Sequence, residues 1–141
     1  MPVILDTDHL TILQQRGSES ERLASRLDRL PRNDVATSIV SFQEQMQGWM
    51  AVLNEARDAE EIVQAYAKLD EARRGFQRMN VLLFAEAAQQ CFTSLRKQCR
   101  RLGTLDLRIA AIALTTDSTL LSRNLRDFRQ VPGLRVEDWT A

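Results

Sequence analysis

At 141 residues with 19 basic and 19 acidic side chains, the chain is the size of one domain, and no net charge draws it to nucleic acid or membrane. Hydrophobic content of 44% with 27% charged residues is ordinary for a globular protein and excludes a disordered chain. The start Met-Pro-Val-Ile-Leu-Asp lacks a basic leader, and no apolar run reaches the roughly 18 residues of a membrane span, so a soluble, cytoplasmic protein with no membrane contact is expected.

Residues 3–5 (Val-Ile-Leu) predict a short strand ending at Asp6, apolar without alternation as in a parallel sheet buried on both faces. Residues 8–16 predict a helix with Leu10 and Leu13 inward, stopped by Gly17, and a second helix runs over about 20–30 before Pro31. Residues 35–37 form the next strand. Ser41-x-x-Glu44 fits a capping box opening a helix whose Met46, Trp49 and Met50 read as packing residues. The stretch 55–78, with Ile62, Ala65, Tyr66 and Leu69 at helical spacing, predicts the second arm of a helical hairpin. Residues 81–84 are strand-like, 85–102 form a long helix closed by Gly103, and 105–114 form another. Strands at 119–122 and 134–136 complete an α/β chain with a mostly parallel central sheet flanked by helices. One domain is expected to span residues 1–141.

Three of these junctions each deliver a carboxylate: Asp6 after the first strand, Glu44 in the third helix, and Asp106 at the start of the helix through Ile109-Ala110-Ala111. Glu44 and Asp106 each have a helix-capping explanation, and Asp8 could cap the first helix. Together they fit a different pattern, because ligands of parallel α/β folds bind at the carboxyl ends of the strands, where these positions can converge. Crowded carboxylates repel one another, and a divalent cation relieves them; the all-oxygen donor set suits Mg2+ or Mn2+. The single histidine, His9, reads as structural. Cys91 and Cys99 lie eight residues apart on one predicted helix, which rules out the close approach of a disulfide. Only Lys68 and Lys97 are lysines, and Arg96, Lys97, Arg100 and Arg101 make a basic stripe suited to an RNA backbone.

These residues resemble the PIN-domain ribonucleases, and more narrowly the toxin subunits of VapBC-type toxin–antitoxin systems. The resemblance covers nearly the whole chain: Leu5-Asp6-Thr7; Glu44 followed by Gly48; Asp106-Leu107-x-Ile109-Ala110-Ala111; Ser122-Arg123-Asn124-x-x-Asp127-Phe128 through Val131-Pro132-Gly133-Leu134; and Val136-Glu137-Asp138-Trp139. It implies a PIN-like three-layer sandwich and metal-binding by Asp6, Glu44 and Asp106. A fourth position falls to Asn124 or Asp127, since Asn124 stands where many PIN domains have Asp. It also implies an Mg2+- or Mn2+-dependent endoribonuclease leaving 5′-phosphate and 3′-hydroxyl ends. A homodimer and a small antitoxin protein laid across the acidic groove are expected with it. The alternative from another class is a catalytically inactive PIN-fold module that binds RNA or protein.

Overall fold

The computed structural model describes residues 2–141. The chain runs β1 (Val3–Leu5), α1 (Thr7–Gln14), α2 (Ser18–Leu27), β2 (Val35–Ser38), α3 (Ile39–Glu55) and α4 (Ala59–Gln77). It continues through β3 (Asn80–Leu82), α5 (Glu86–Gln98), α6 (Thr104–Thr115), β4 (Thr119–Leu121), α7 (Leu125–Phe128) and β5 (Val136–Glu137). The five strands form one all-parallel sheet in the order β3-β2-β1-β4-β5.

The apolar strands fill both faces of this sheet. Alternate residues of a strand point to opposite faces. Ile4 and Leu120 therefore join the core under α5 and α6, while Val3, Leu5 and Leu121 join the core under α1 and α2. Helix α6 is the most deeply embedded, with Leu107 and Ile109 through Ala113 all buried. Fully burying a side chain such as Leu107 or Ile109 contributes roughly 1.5–3 kcal/mol, so α6 is held in place mainly by apolar burial.

Central β1 pairs with β2 on one side, at Ile4 opposite Ala36, and with β4 on the other, at Ile4 opposite Leu120. The chain winds outward through β2 and β3 in one direction and through β4 and β5 in the other. The carboxyl ends of β1 and β4 thus flank the switch point where α/β sheets bind ligands. Asp6 leaves β1 there, its backbone N–H donating to Leu121 O at 2.9 Å.

Several local expectations are corrected. Helix α3 begins at Ile39, directly after β2, and its N-cap is Ser38, whose Oγ accepts the Ser41 N–H at 3.1 Å. Ser41-x-x-Glu44 is therefore not a capping box. The reciprocal cap belongs to α4, where Asp58 accepts the Glu61 N–H at 2.8 Å and Glu61 accepts the Arg57 N–H at 2.7 Å. Strand β5 starts two residues later than expected, because Gly133 (φ 77°) and the Leu134 N–H to Val131 O bond hold a turn up to Leu134. Helices α3 and α4 form the predicted hairpin, but Met50 is 53% exposed on it, and Val63 and Tyr66 are exposed as well, contrary to a packing role for Met50. Among the described residues no helix is long and apolar enough to cross a membrane.

Candidate metal centre

The three sequence-predicted acids converge. Asp6, Glu44 and Asp106 each bring a carboxylate oxygen to within 4.8 Å of the other two. They line an open cleft of about 590 Å³ with Thr7, Asp8, Thr11, Arg123 and Asn124. Asp6 is placed by the end of β1, Glu44 by the second turn of α3, and Asp106 by the first turn of α6, where a negative charge is also favoured by the helix dipole. None of the three is an N-cap with its carboxylate spent on its own helix except in part Asp6, whose Oδ1 accepts the Thr7 N–H at 2.8 Å.

Neighbouring hydroxyls hold two of these acids. Thr7 Oγ1 donates toward Glu44 Oε1 at 3.1 Å, and Ser122 Oγ lies 2.7 Å from Asp6 Oδ2. Burial pushes the Asp6 carboxyl up to about 7, against hydrogen bonds from Ser122 and Thr7 that lower it; the charges of Asp8 and Asp106 push the same way as burial. Glu44 and Asp106 are also raised, first by burial and then by neighbouring carboxylates, with Asp127 the largest such influence on Asp106. Three acids that each resist ionisation beside the others form a donor set that fits a hard divalent cation, which removes the penalty by supplying positive charge.

Asn124 lines the cleft, and its Nδ2 donates to Asp127 Oδ2 at 3.1 Å. The two candidates for the fourth position are thus joined to each other, the amide in the cleft and the charge one helical turn behind it. Asp8 is the residue that the sequence reading missed. It lines the cleft, yet it differs from the cluster because burial, which raises its carboxyl, is outweighed by hydrogen bonds from His9, the Arg123 N–H and Ser122. Asp8 Oδ2 accepts the Arg123 N–H at 2.9 Å and Oδ1 faces His9 Nδ1 at 2.7 Å. Its only local sign is its position two residues after Asp6.

The basic stripe separates into two kinds of residue. Arg96 is turned inward onto the α5–α6 connection, donating to Leu102 O at 2.7 Å and to Thr104 Oγ1 at 2.9 Å, with its guanidinium 5.6 Å from the Phe92 ring centre. It braces the segment that presents Asp106. Lys97, Arg100 and Arg101 are exposed. A cation not foreseen from the sequence, Arg123, stands at the cleft, paired with Glu19 at 3.1 Å.

No family model matches the sequence. Ribonuclease VapC1 of Haemophilus influenzae strain R2866 is 29% identical over 147 aligned positions, covering 99% of both chains. Among solved structures, VapBC-1 from nontypeable Haemophilus influenzae matches with a TM-score of 0.75 at 24% identity over 100% of both chains. VapBC2 from Rickettsia felis, bound to a DNA fragment from its promoter, matches with a TM-score of 0.74 at 23% identity over 99% of both chains. The chain is similar to Ribonuclease VapC1 along its whole length. Its all-parallel five-strand sheet between two layers of helices is the PIN-like architecture that the sequence resemblance implied. The likeness extends over both arms of the α3–α4 hairpin and the last strand, because the matches run the full length.

Proposed function

We propose that the protein is a metal-dependent endoribonuclease acting as the toxin of a VapBC-type pair. The carrying observation is the convergence of Asp6, Glu44 and Asp106 at the switch point of a VapC-like fold. Its support is the full-length likeness to a protein named Ribonuclease VapC1. The three acids would hold Mg2+ or Mn2+. When bound, the cation supplies Lewis-acid stabilisation of the phosphodiester and acidifies water for attack on phosphorus. The chain itself supplies orientation: Thr7 fixes Glu44, Ser122 fixes Asp6, and Arg123 can exchange Glu19 for a backbone phosphate at the cleft. An open cleft suits single-stranded or loop RNA better than a helical groove. Retention of all three acids disfavours the inactive binding module.

The same reading includes a small antitoxin that lays a basic segment on the acidic cleft, supported by the VapBC complexes among the solved neighbours. It includes action in the cytoplasm, consistent with two free cysteines. It includes a homodimer, for which the exposed Met50, Val52, Val63 and Tyr66 offer apolar surface; a one-chain mass by light scattering at micromolar concentration would remove that part. The deciding assay is cleavage of a structured RNA by purified protein. Cleavage in Mn2+ that stops with chelator is expected, and equal cleavage in excess EDTA overturns the reading.

A further inference from the structure

The one histidine lies behind the cleft rather than in it. His9 is 0% exposed and sits between Asp8 and the C-terminal segment. Its Nε2 accepts the Trp139 backbone N–H at 3.1 Å. An imidazole nitrogen that accepts carries no proton, so the proton of the ring resides on Nδ1 and is donated to Asp8 Oδ1 at 2.7 Å. The far oxygen of Asp8 takes the Arg123 N–H at 2.9 Å and lies 3.2 Å from Ser122 Oγ, which in turn lies 2.7 Å from Asp6 Oδ2. The segment behind His9 is fastened independently. Arg22 donates to Thr140 O at 3.0 Å, and Arg26 stacks 4.3 Å from the Trp139 ring centre. Asp138 Oδ1, 3.5 Å from Nε2, is occupied by the Thr140 N–H and hydroxyl at 2.8 and 2.6 Å.

We propose that His9 is a positioning residue, whose Nδ1 donor, its tautomer set by the Trp139 backbone N–H, holds Asp8 and thereby fixes the Ser122–Arg123 edge that orients Asp6. Outer hydrogen bonds of this kind set the aim of ligating groups and are worth about 10–100-fold in metal affinity. The inference rests on the metallonuclease reading, and its test separates the two.

Because the tag-free chain has a single histidine, 15N-histidine labelling gives one imidazole. The expected signature is the Nδ1–H tautomer; an Nε2–H ring, or one averaging between tautomers, overturns the proposal. The two arms of the relay are then cut separately. His9→Asn keeps a donor toward Asp8 and loses the acceptor for Trp139, whereas His9→Gln keeps the acceptor and loses the Nδ1 donor. With Mn2+ binding read by electron paramagnetic resonance, His9→Asn should stay within about threefold of the parent while His9→Gln weakens about tenfold or more. Melting curves show whether each variant is folded, and His9→Leu, which fills the site without a donor toward Asp8, replaces His9→Gln should that variant unfold; the same weakening is expected. Equal affinity in His9→Gln and the parent, or equal losses in His9→Asn and His9→Gln, assigns His9 to packing and overturns the proposal. A parent chain that takes up no Mn2+ instead overturns the metallonuclease reading, and with it a positioning role.

Discussion

Asp6 and Asp8 are the same residue type two positions apart, line the same cleft, and are driven in opposite directions. Asp6 faces other acids and is pushed up to about 7, chiefly by burial. Asp8, also penalised by burial, is held below the ordinary carboxylate range because His9, the Arg123 N–H and Ser122 donate to it. The difference separates a carboxylate left among other acids from one that the protein pairs with donors. Both are removed from water, but only one has its negative charge answered by the protein.

The largest effect should come from neutralising a member of the unanswered set. Asp106→Asn is expected to cut RNA cleavage by at least about a hundredfold, the scale of losing one electrostatic element of a catalytic site. The metal-free variant should melt at the same temperature as the parent or higher, since one repelling charge is gone. Parent-like turnover would return Asp106 to a helix-dipole role.

Next in size is the pH dependence of the metal-free protein. A carboxyl raised in the folded state favours the protonated form there, so the stability it contributes is present below the ordinary carboxylate range and lost as pH rises through about 7. Glu44 and Asp106, both raised, act with the same sign, whereas the lowered Asp8 contributes stability that is lost as pH falls below the ordinary range. In EDTA, melting temperature should therefore peak in mild acid and fall toward neutral pH, by on the order of a few kcal/mol in stability. Saturating Mn2+ should flatten the neutral side. A chelated protein equally stable at pH 5.5 and 8 would mean that the cluster is relaxed without a cation.

The smallest effect concerns the fourth position. Asp127 raises Asp106 through its charge, while Asn124 supplies an amide that grips Asp127. Asp127→Ala is expected to weaken Mn2+ binding by up to about tenfold, and Asn124→Ala by less. The reverse order in calorimetric titration would give the cleft-side amide the larger role.

What could be read from the sequence follows from how far apart the partners lie. The apolar run ending at Asp6 and the buried Ile-Ala-Ala helix after Asp106 are local patterns, so the strands, the parallel sheet and the three converging acids were all legible. Where Glu44 sits in its helix was not, because the strand-to-helix passage at Ser38 leaves no loop to mark it. Nor could Asp8 be recognised: the Arg123 N–H it accepts comes from 115 residues away, and local periodicity carries no trace of such a partner. Arg96 looked like its neighbours in the basic stripe, and only the fold of the α5–α6 turn gives it backbone carbonyls to hold.

The bond between Trp139 and His9 joins residues 130 positions apart, which sets an order of events during synthesis. Domains emerge from the ribosome N-terminus first. Helix α1 and its acids are made well before the backbone group that closes the ring of hydrogen bonds around His9. A nascent chain thus carries Asp8 long before it can fasten it, so the cleft is fully braced only once Trp139 has emerged.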